Sequence, residues 1–420
     1  MSGDHGWATE LRAAAEHPGD GAAAWRAGGG RVVGLLGWSA PRELVVAAGM
    51  LPVRLSPGRL ARAGASAWPD AGAAFSRELS PATARFAAAL LSGALDWIDF
   101  LLIGRDREDY TRLFYLLREL RRSGDAPGLV PVAFFDLLRL PSRTGARYNR
   151  QRAAELADTV AAWSGRPVTP SDLAGAVEAA EVTAHTFGGI RSLRSRPQPA
   201  ITGTDALAAA IAAQVLPADR LRPLLEAALV AGAADAAGPS DAAGPANRGR
   251  VFLAGSAVDD LTVYDDLEHL GLAIVGEDHE WGDDGSEYPR ATRDPLDGIV
   301  DRYQFAHGGA ARAGLRDRVE RTADRVRASA ADGVLYLLGP HDEAAGWELP
   351  ALRERLGAGL PLVPVRLRDQ APGDQGPAAD GARPELREAG RRLAAELGAD
   401  LGAVGAGRAG TASRPEARRG

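Results

Sequence analysis

Short apolar runs that end in glycine or another small residue, separated by stretches of helical spacing, recur along this chain and limit its folds more than any other feature. Arg31-Val32-Val33-Gly34-Leu35-Leu36-Gly37 is such a run, followed by a helical stretch from Pro41 to Gly49 and a second run, Leu51 to Leu55. The pattern repeats with Trp97–Ile103 as strand, Asp109–Arg122 as helix and Leu129–Phe135 as strand. The runs are apolar throughout rather than alternating, as expected of strands covered on both faces. Strand, helix, strand in this order predicts parallel sheets layered with helices.

From Arg147 to about Val230 the pattern is wholly helical. Thr169-Pro170-Ser171-Asp172 reads as a helix start, with Thr169 as N-cap, Pro170 at the first position and Asp172 reaching back. The segment before Arg250 repeats Asp-Ala-Ala-Gly-Pro and carries no periodicity, which marks a linker. A second β/α series follows: Val251–Ser256, Leu272–Val275 running into Glu277-Asp278, a helix with Leu315, Val319, Ala323 and Val326 on one face, then Gly333–Leu338. A helix from Pro350 to Leu356, a strand near Leu362–Val365 and a helix from Pro384 to Leu397 close it. The expected division is an N-terminal helical arm over 1–30, a first α/β lobe with a helical insertion over 31–235, a linker over 236–249, a second α/β lobe over 250–400, and a disordered tail over 401–420. In such lobes ligands bind at the carboxyl ends of the strands, so the turns after Leu36, Ile103, Ala254, Gly276 and Leu338 are where chemistry belongs.

Composition removes several chemistries. Among 420 residues there is no cysteine, and all 49 basic residues are arginine. Disulfides, thiolate nucleophiles, Cys-ligated metals, Schiff-base lysines and the phosphate-loop lysine are therefore absent. Hydrolase, zinc-peptidase, EF-hand and nucleotide-loop motifs are missing as well. A net charge of −6, with arginines interleaved among acids, argues against a nucleic-acid partner. The longest apolar run, Phe86–Ile103, is interrupted by Asp96 and Asp99, and the first twenty residues lack the pattern of a secretory leader. The expectation is a cytoplasmic protein with no membrane partner.

Several segments, taken together, resemble a known family. Val33–Leu55, with its Pro41-Arg42-Glu43-Leu44 helix and Ala47-Ala48-Gly49-Met50-Leu51-Pro52, resembles the opening of subunits of (R)-2-hydroxyacyl-CoA dehydratases and benzoyl-CoA reductases. Phe134-Phe135-Asp136 with Leu140-Pro141, Ser164–Thr169, Gly255-Ser256, Glu277-Asp278 with Gly282, Asp332-Gly333-Val334 and Trp347–Leu352 occur in that family's order, so the resemblance covers roughly residues 30–370. It implies two tandem flavodoxin-like lobes with parallel sheets plus a helical excursion. It also implies a 4Fe-4S cluster held by three cysteines from three strand ends, an acyl-CoA substrate, a homologous cluster-bearing subunit and an activator ATPase. Here the three cysteine places fall at Gly104–Glu108, at Glu280, and at His341 or Asp342, so no iron–sulfur cofactor is expected in this chain.

The departure leaves three functions open. The chain is a non-cluster partner subunit, in a heterodimer, that keeps the acyl-CoA pocket; or a set drawn from His279, Glu280, His341 and Asp342, with Asp106, holds a divalent metal; or the chain is a degenerate paralogue with a binding or scaffold role. Glu280, His341 and Asp342 thus stand as catalytic candidates by position alone. For CoA phosphates the resemblance points to Arg54, Arg59 and Arg62, or to Arg191, Arg194 and Arg196. Ser39 and Ser256 could donate to a thioester oxygen, and Glu43, one helical turn on, could support the Ser39 turn. The acidic run Glu277–Gly285 has the composition of a solvated loop; its place after a buried strand is what draws attention.

Overall fold

The computed structural model describes residues 6–59, 79–140, 142–235, 249–283, 294–305, 314–340, 342–368 and 383–398. Helices α1 (Gly6–Glu16) and α2 (Pro18–Ala27) lead into a first β/α series: β1 (Val32–Leu36), α3 (Arg42–Ala47), β2 (Leu51–Leu55), α4 (Pro81–Leu91), β3 (Phe100–Gly104), α5 (Glu108–Ser123) and β4 (Val132–Phe135). Four helices follow, α6 (Arg143–Ser164), α7 (Pro170–Arg194), α8 (Gly203–Ala212) and α9 (Ala218–Asp235). The second series is β5 (Gly249–Gly255), α10 (Leu261–His269), β6 (Leu272–Glu277), α11 (Pro295–Phe305), α12 (Leu315–Ala328), β7 (Gly333–Leu338), α13 (Glu343–Leu356), β8 (Leu362–Arg366) and α14 (Pro384–Glu396).

Each series builds one four-stranded, all-parallel sheet, in the orders β2-β1-β3-β4 and β6-β5-β7-β8. The two orders are the same once counted from the start of each sheet, so the chain contains one topology twice. Registers keep the strand ends level: Leu36 pairs with Leu55 and Ile103, and Gly255 with Leu337. The turns after β1 and β3, and after β5 and β7, therefore open side by side at the point where strand order reverses, the usual ligand position in such sheets.

Side chains alternate between two cores. On β1, Val32 and Leu36 enter a core that continues through α1, α8 and α10 to Val251 and Leu253 of β5, whereas Val33 and Leu35 enter a second core. Helix α8 is the joint between lobes. Its sequence, Gly-Thr-Asp-Ala-Leu-Ala-Ala-Ala-Ile-Ala, is buried at nearly every position, as befits a helix surrounded by other elements. The second core carries a residue set from the far half of the chain: Leu296, Ile299, Val300 and Tyr303 of α11 pack with Val33, Leu35, Trp38 and Leu44. Their i, i+3, i+4, i+7 spacing forms one helical stripe. A helix from residues 250–400 thus joins α3, α6 and α7 in the core on one face of the sheet built by residues 31–235. A third core lies under α12 and α13, on Phe252, Ala254, Val334 and Tyr336.

Three element boundaries change, the first at β4, which begins at Val132 rather than Leu129. Helix α13 begins at Glu343 rather than Pro350, because Asp342 caps it by accepting from the Ala345 N–H, leaving Pro350 in the interior. Strand β3 begins at Phe100 rather than Trp97. Of the expected linker over 236–249, residues 236–248 lie outside the described residues and Gly249 opens β5; the expected tail over 401–420 lies outside them as well. Among the described residues no helix is long and apolar enough to cross a membrane.

Candidate functional site

At the strand-order reversal of the first sheet, Gly37 turns the chain with φ +96°, and a Cβ there would fall 2.3 Å from Asp106 Oδ2. The Ser39 N–H donates to that same carboxylate oxygen at 2.9 Å, and Arg139 pairs with Asp106 Oδ1 at 2.7 Å. Gly104 is equally constrained, since a Cβ would lie 2.4 Å from Ser39 Oγ. Ser39 is fully buried, and its Oγ has no hydrogen-bond partner among the described residues. A buried hydroxyl left in this state is a donor waiting for an acceptor.

Glu43 turns away from that turn. Its carboxylate accepts from Tyr303 Oη at 2.8 Å and is ion-paired with Arg302, both on α11. Burial pushes the Arg302 guanidinium down to about 10, and Arg42 nearby pushes the same way. Glu43 therefore anchors α11 rather than supporting Ser39. Neither Arg302 nor Tyr303 stood out in the sequence; the apolar stripe of α11 was the available signal, and it does not say which sheet the helix covers.

Arg54, at the end of β2, reaches across to the second lobe. It donates to Gln214 Oε1 at 2.6 Å, to the Glu280 carbonyl at 2.8 Å and to Glu280 Oε1 at 2.6 Å, with its guanidinium 3.9 Å from the Trp281 ring centroid. Arg59 pairs with Asp259 at 3.7 Å, and its guanidinium lies 5.5 Å from the centroid of the same tryptophan ring. Both Asp106 and Glu280 act electrostatically on half-buried Tyr110, whose phenol is pushed up chiefly by desolvation.

The third of the cysteine places lies by the second sheet's reversal point. Ser256 Oγ accepts from the Gly339 N–H at 2.8 Å and donates to Asp342 Oδ2 at 2.9 Å. His341 lies outside the described residues. The structure gives the Ser39 turn and the Ser256 turn the same plan, a hydroxyl after a strand with a carboxylate from the neighbouring strand's loop. Only in the second is the hydroxyl satisfied.

The described part of the acidic run after β6, Glu277–Asp283, is buried or half-buried rather than solvated. Glu277 and His279 are buried, and Arg194 of α7, also buried, pairs with both Glu277 and Asp283. The Gly282 N–H donates to His279 Nδ1, so the ring proton sits on Nε2, which lies 2.8 Å from Tyr264 Oη; Tyr264 in turn hydrogen-bonds Glu277. Burial holds His279 down to about 3 and lifts Glu277 to about 7. Arg194 is enclosed in this network and has no surface from which to meet a CoA phosphate. With both ring nitrogens engaged, His279 presents no lone pair to a cation, and among the described residues no group of three or more His, Asp or Glu is arranged to hold a metal ion.

A family model described as 2-hydroxyglutaryl-CoA dehydratase, D-component, matches residues 37–378. The chain belongs to this family. A comparison with curated proteins returned no match. Within the dehydratase D-component family the implied metal group is an iron–sulfur cluster on cysteine thiolates, and a chain without cysteine does not offer that donor set. The acids at two of the corresponding places are spoken for by arginines, Asp106 by Arg139 and Glu280 by Arg54, and Asp342 serves as a helix cap.

Proposed function

We propose that this member of the dehydratase D-component family is a cluster-free partner subunit that binds an acyl-CoA thioester while a homologous chain carries the redox centre. The observation that carries this reading is that the acids in the cluster-ligand places are held by partners within the chain, in a fold that keeps both parallel sheets. A site in decay would leave such groups unpaired, at a cost of several kcal/mol for each buried charge. The buried, unpartnered Ser39 Oγ at the strand-order reversal supplies a donor for a thioester carbonyl. Ser256 is occupied by Asp342, so in this reading Ser39 makes the contact.

The test is a titration of the purified chain with a 2-hydroxyacyl-CoA, followed by mixing with a three-cysteine homologue and its ATP-dependent activator. The expected result is saturable thioester binding by the chain alone, no dehydration alone, and dehydration on mixing. Ser39→Ala should weaken thioester binding by about 1 kcal/mol, roughly fivefold, with little change in melting temperature. A chain that neither binds thioesters nor associates with the homologue is instead the scaffold.

A further inference from the structure

A cavity of about 300 Å³ lies between α3, α7 and the turn joining α8 to α9. Its walls include Ala176, Ala179 and Ala180 of α7, Val46 of α3, Met50 and Leu216. The three alanines share one face of α7 by their spacing, and their small size is what leaves the space open. One end differs. Arg42 and Glu43 close it, and Glu43 is already matched by Arg302 and Tyr303. Arg42 is the single cation among the lining residues; its guanidinium donates to the neutral Ala213 carbonyl at 2.7 Å. Asp219 also lines the cavity, but it is exposed to solvent and its charge is screened.

Arg42 borders a second, smaller void of about 30 Å³ together with Arg54, Arg302 and Gln214. Three guanidinium groups meet here against two carboxylates, Glu43 and Glu280. Among the described residues the balance at this end of the cavity is one positive charge. A half-buried surplus of that sign is stabilised by an anion.

We infer that the cavity between α3 and α7 binds an apolar monocarboxylate, its chain along the alanine face and its carboxylate on the Arg42 guanidinium. The volume stands at the lower end for small-molecule pockets and corresponds to roughly ten non-hydrogen atoms, the size of octanoate. The inference stands apart from the partner-subunit reading, because it places a free monocarboxylate on Arg42 in this cavity, whereas that reading places a thioester carbonyl on Ser39.

Calorimetric titration of the full-length protein with sodium octanoate, octan-1-ol and octanoyl-CoA tests it. Octanoate should bind saturably at one site and octan-1-ol at least about tenfold more weakly. Arg42→Gln should reduce octanoate affinity about tenfold or more, and Arg42→Lys should lose less than Arg42→Gln. If Arg42→Gln does not fold, Ala180→Leu asks the same question by filling the cavity, and should abolish octanoate binding. Absence of saturable octanoate binding, or equal binding of the alcohol, overturns the inference. So does octanoate binding that survives Ala180→Leu. Octanoyl-CoA binding without octanoate binding also overturns it while leaving the partner-subunit reading intact.

Discussion

Glu277 and His279 stand two residues apart in one buried network, and their protonation works in opposite directions. The folded state keeps Glu277 protonated up to about 7, whereas unfolding returns it to its ordinary 4.5, so its contribution is full below pH 4.5 and is lost as pH rises to 7. His279 is held at about 3 against an ordinary 6.5, so its contribution is full above pH 6.5 and is lost as pH falls toward 3. Between pH 4.5 and 6.5 the two slopes oppose each other. Urea unfolding across that window should therefore show His279→Asn losing stability as pH rises relative to the parent, and Glu277→Gln losing it as pH falls. Each slope has a ceiling of about 1.4 kcal/mol per pH unit. The same slope in both variants would mean that the pair does not titrate as the geometry requires. None of this was legible in the sequence. An acidic run of this composition is ordinarily a solvated loop, and the residue that makes it interior, Arg194, comes from a helix more than eighty positions earlier.

At the scale of the element, local chemistry was read more successfully. Thr169 and Asp172 form the reciprocal cap expected of them: the Thr169 hydroxyl accepts from the Asp172 N–H, and the Asp172 carboxylate accepts from the Thr169 N–H at 2.9 Å. Thr169→Ala should cost about 1 kcal/mol in chemical denaturation. Caps of this type are legible because every partner lies within four residues. Pro350 misled for the converse reason. Proline is enriched at helix starts, and the true start depends on Asp342, eight residues earlier. Gly203 shows a third case, in which the constraint is purely tertiary. A Cβ there would lie 2.6 Å from Ile274 Cβ, and the Gly203 and Thr204 N–H groups are both directed to Glu268. Gly203→Ala should destabilise the protein by about 1–3 kcal/mol despite alanine's better helix propensity, a sign that thermal unfolding would reveal.

At the scale of the whole molecule, two parallel sheets were predictable and their mutual dependence was not. Apolar runs bounded by glycine give strands, and helices between them give parallel pairing; nothing in either pattern says that α11 leaves its own lobe. The packing of Ile299 among Val33, Leu35 and Trp38 implies that Ile299→Ala costs about 2–5 kcal/mol and lowers the stability of the first lobe. A fragment ending at residue 248 should keep far-UV helical signal and lose part of its near-UV signal, since the core on that face keeps α3, α6 and α7 but loses Leu296, Ile299, Val300 and the Tyr303 ring against Trp38. Native near-UV signal in that fragment would show that α11 is dispensable. Arg54 and Glu280 offer the complementary test across the lobes. A double-mutant cycle with Arg54→Met and Glu280→Gln should return a coupling of about 1–3 kcal/mol, larger than for an exposed pair because Arg54 is buried beneath Trp281.

The borrowed helix also sets a schedule for synthesis. Residues 31–235 leave the ribosome before residue 305 exists, and at roughly 5–20 residues per second the interval from 235 to 305 is about 4–14 s. For that time the nascent first lobe has α3, α6 and α7 on this core but leaves the face around Trp38 without its α11 cover. A cell making this protein has to shelter that face for longer than a simple tandem of self-sufficient lobes would demand, and slower translation through the linker lengthens the exposure.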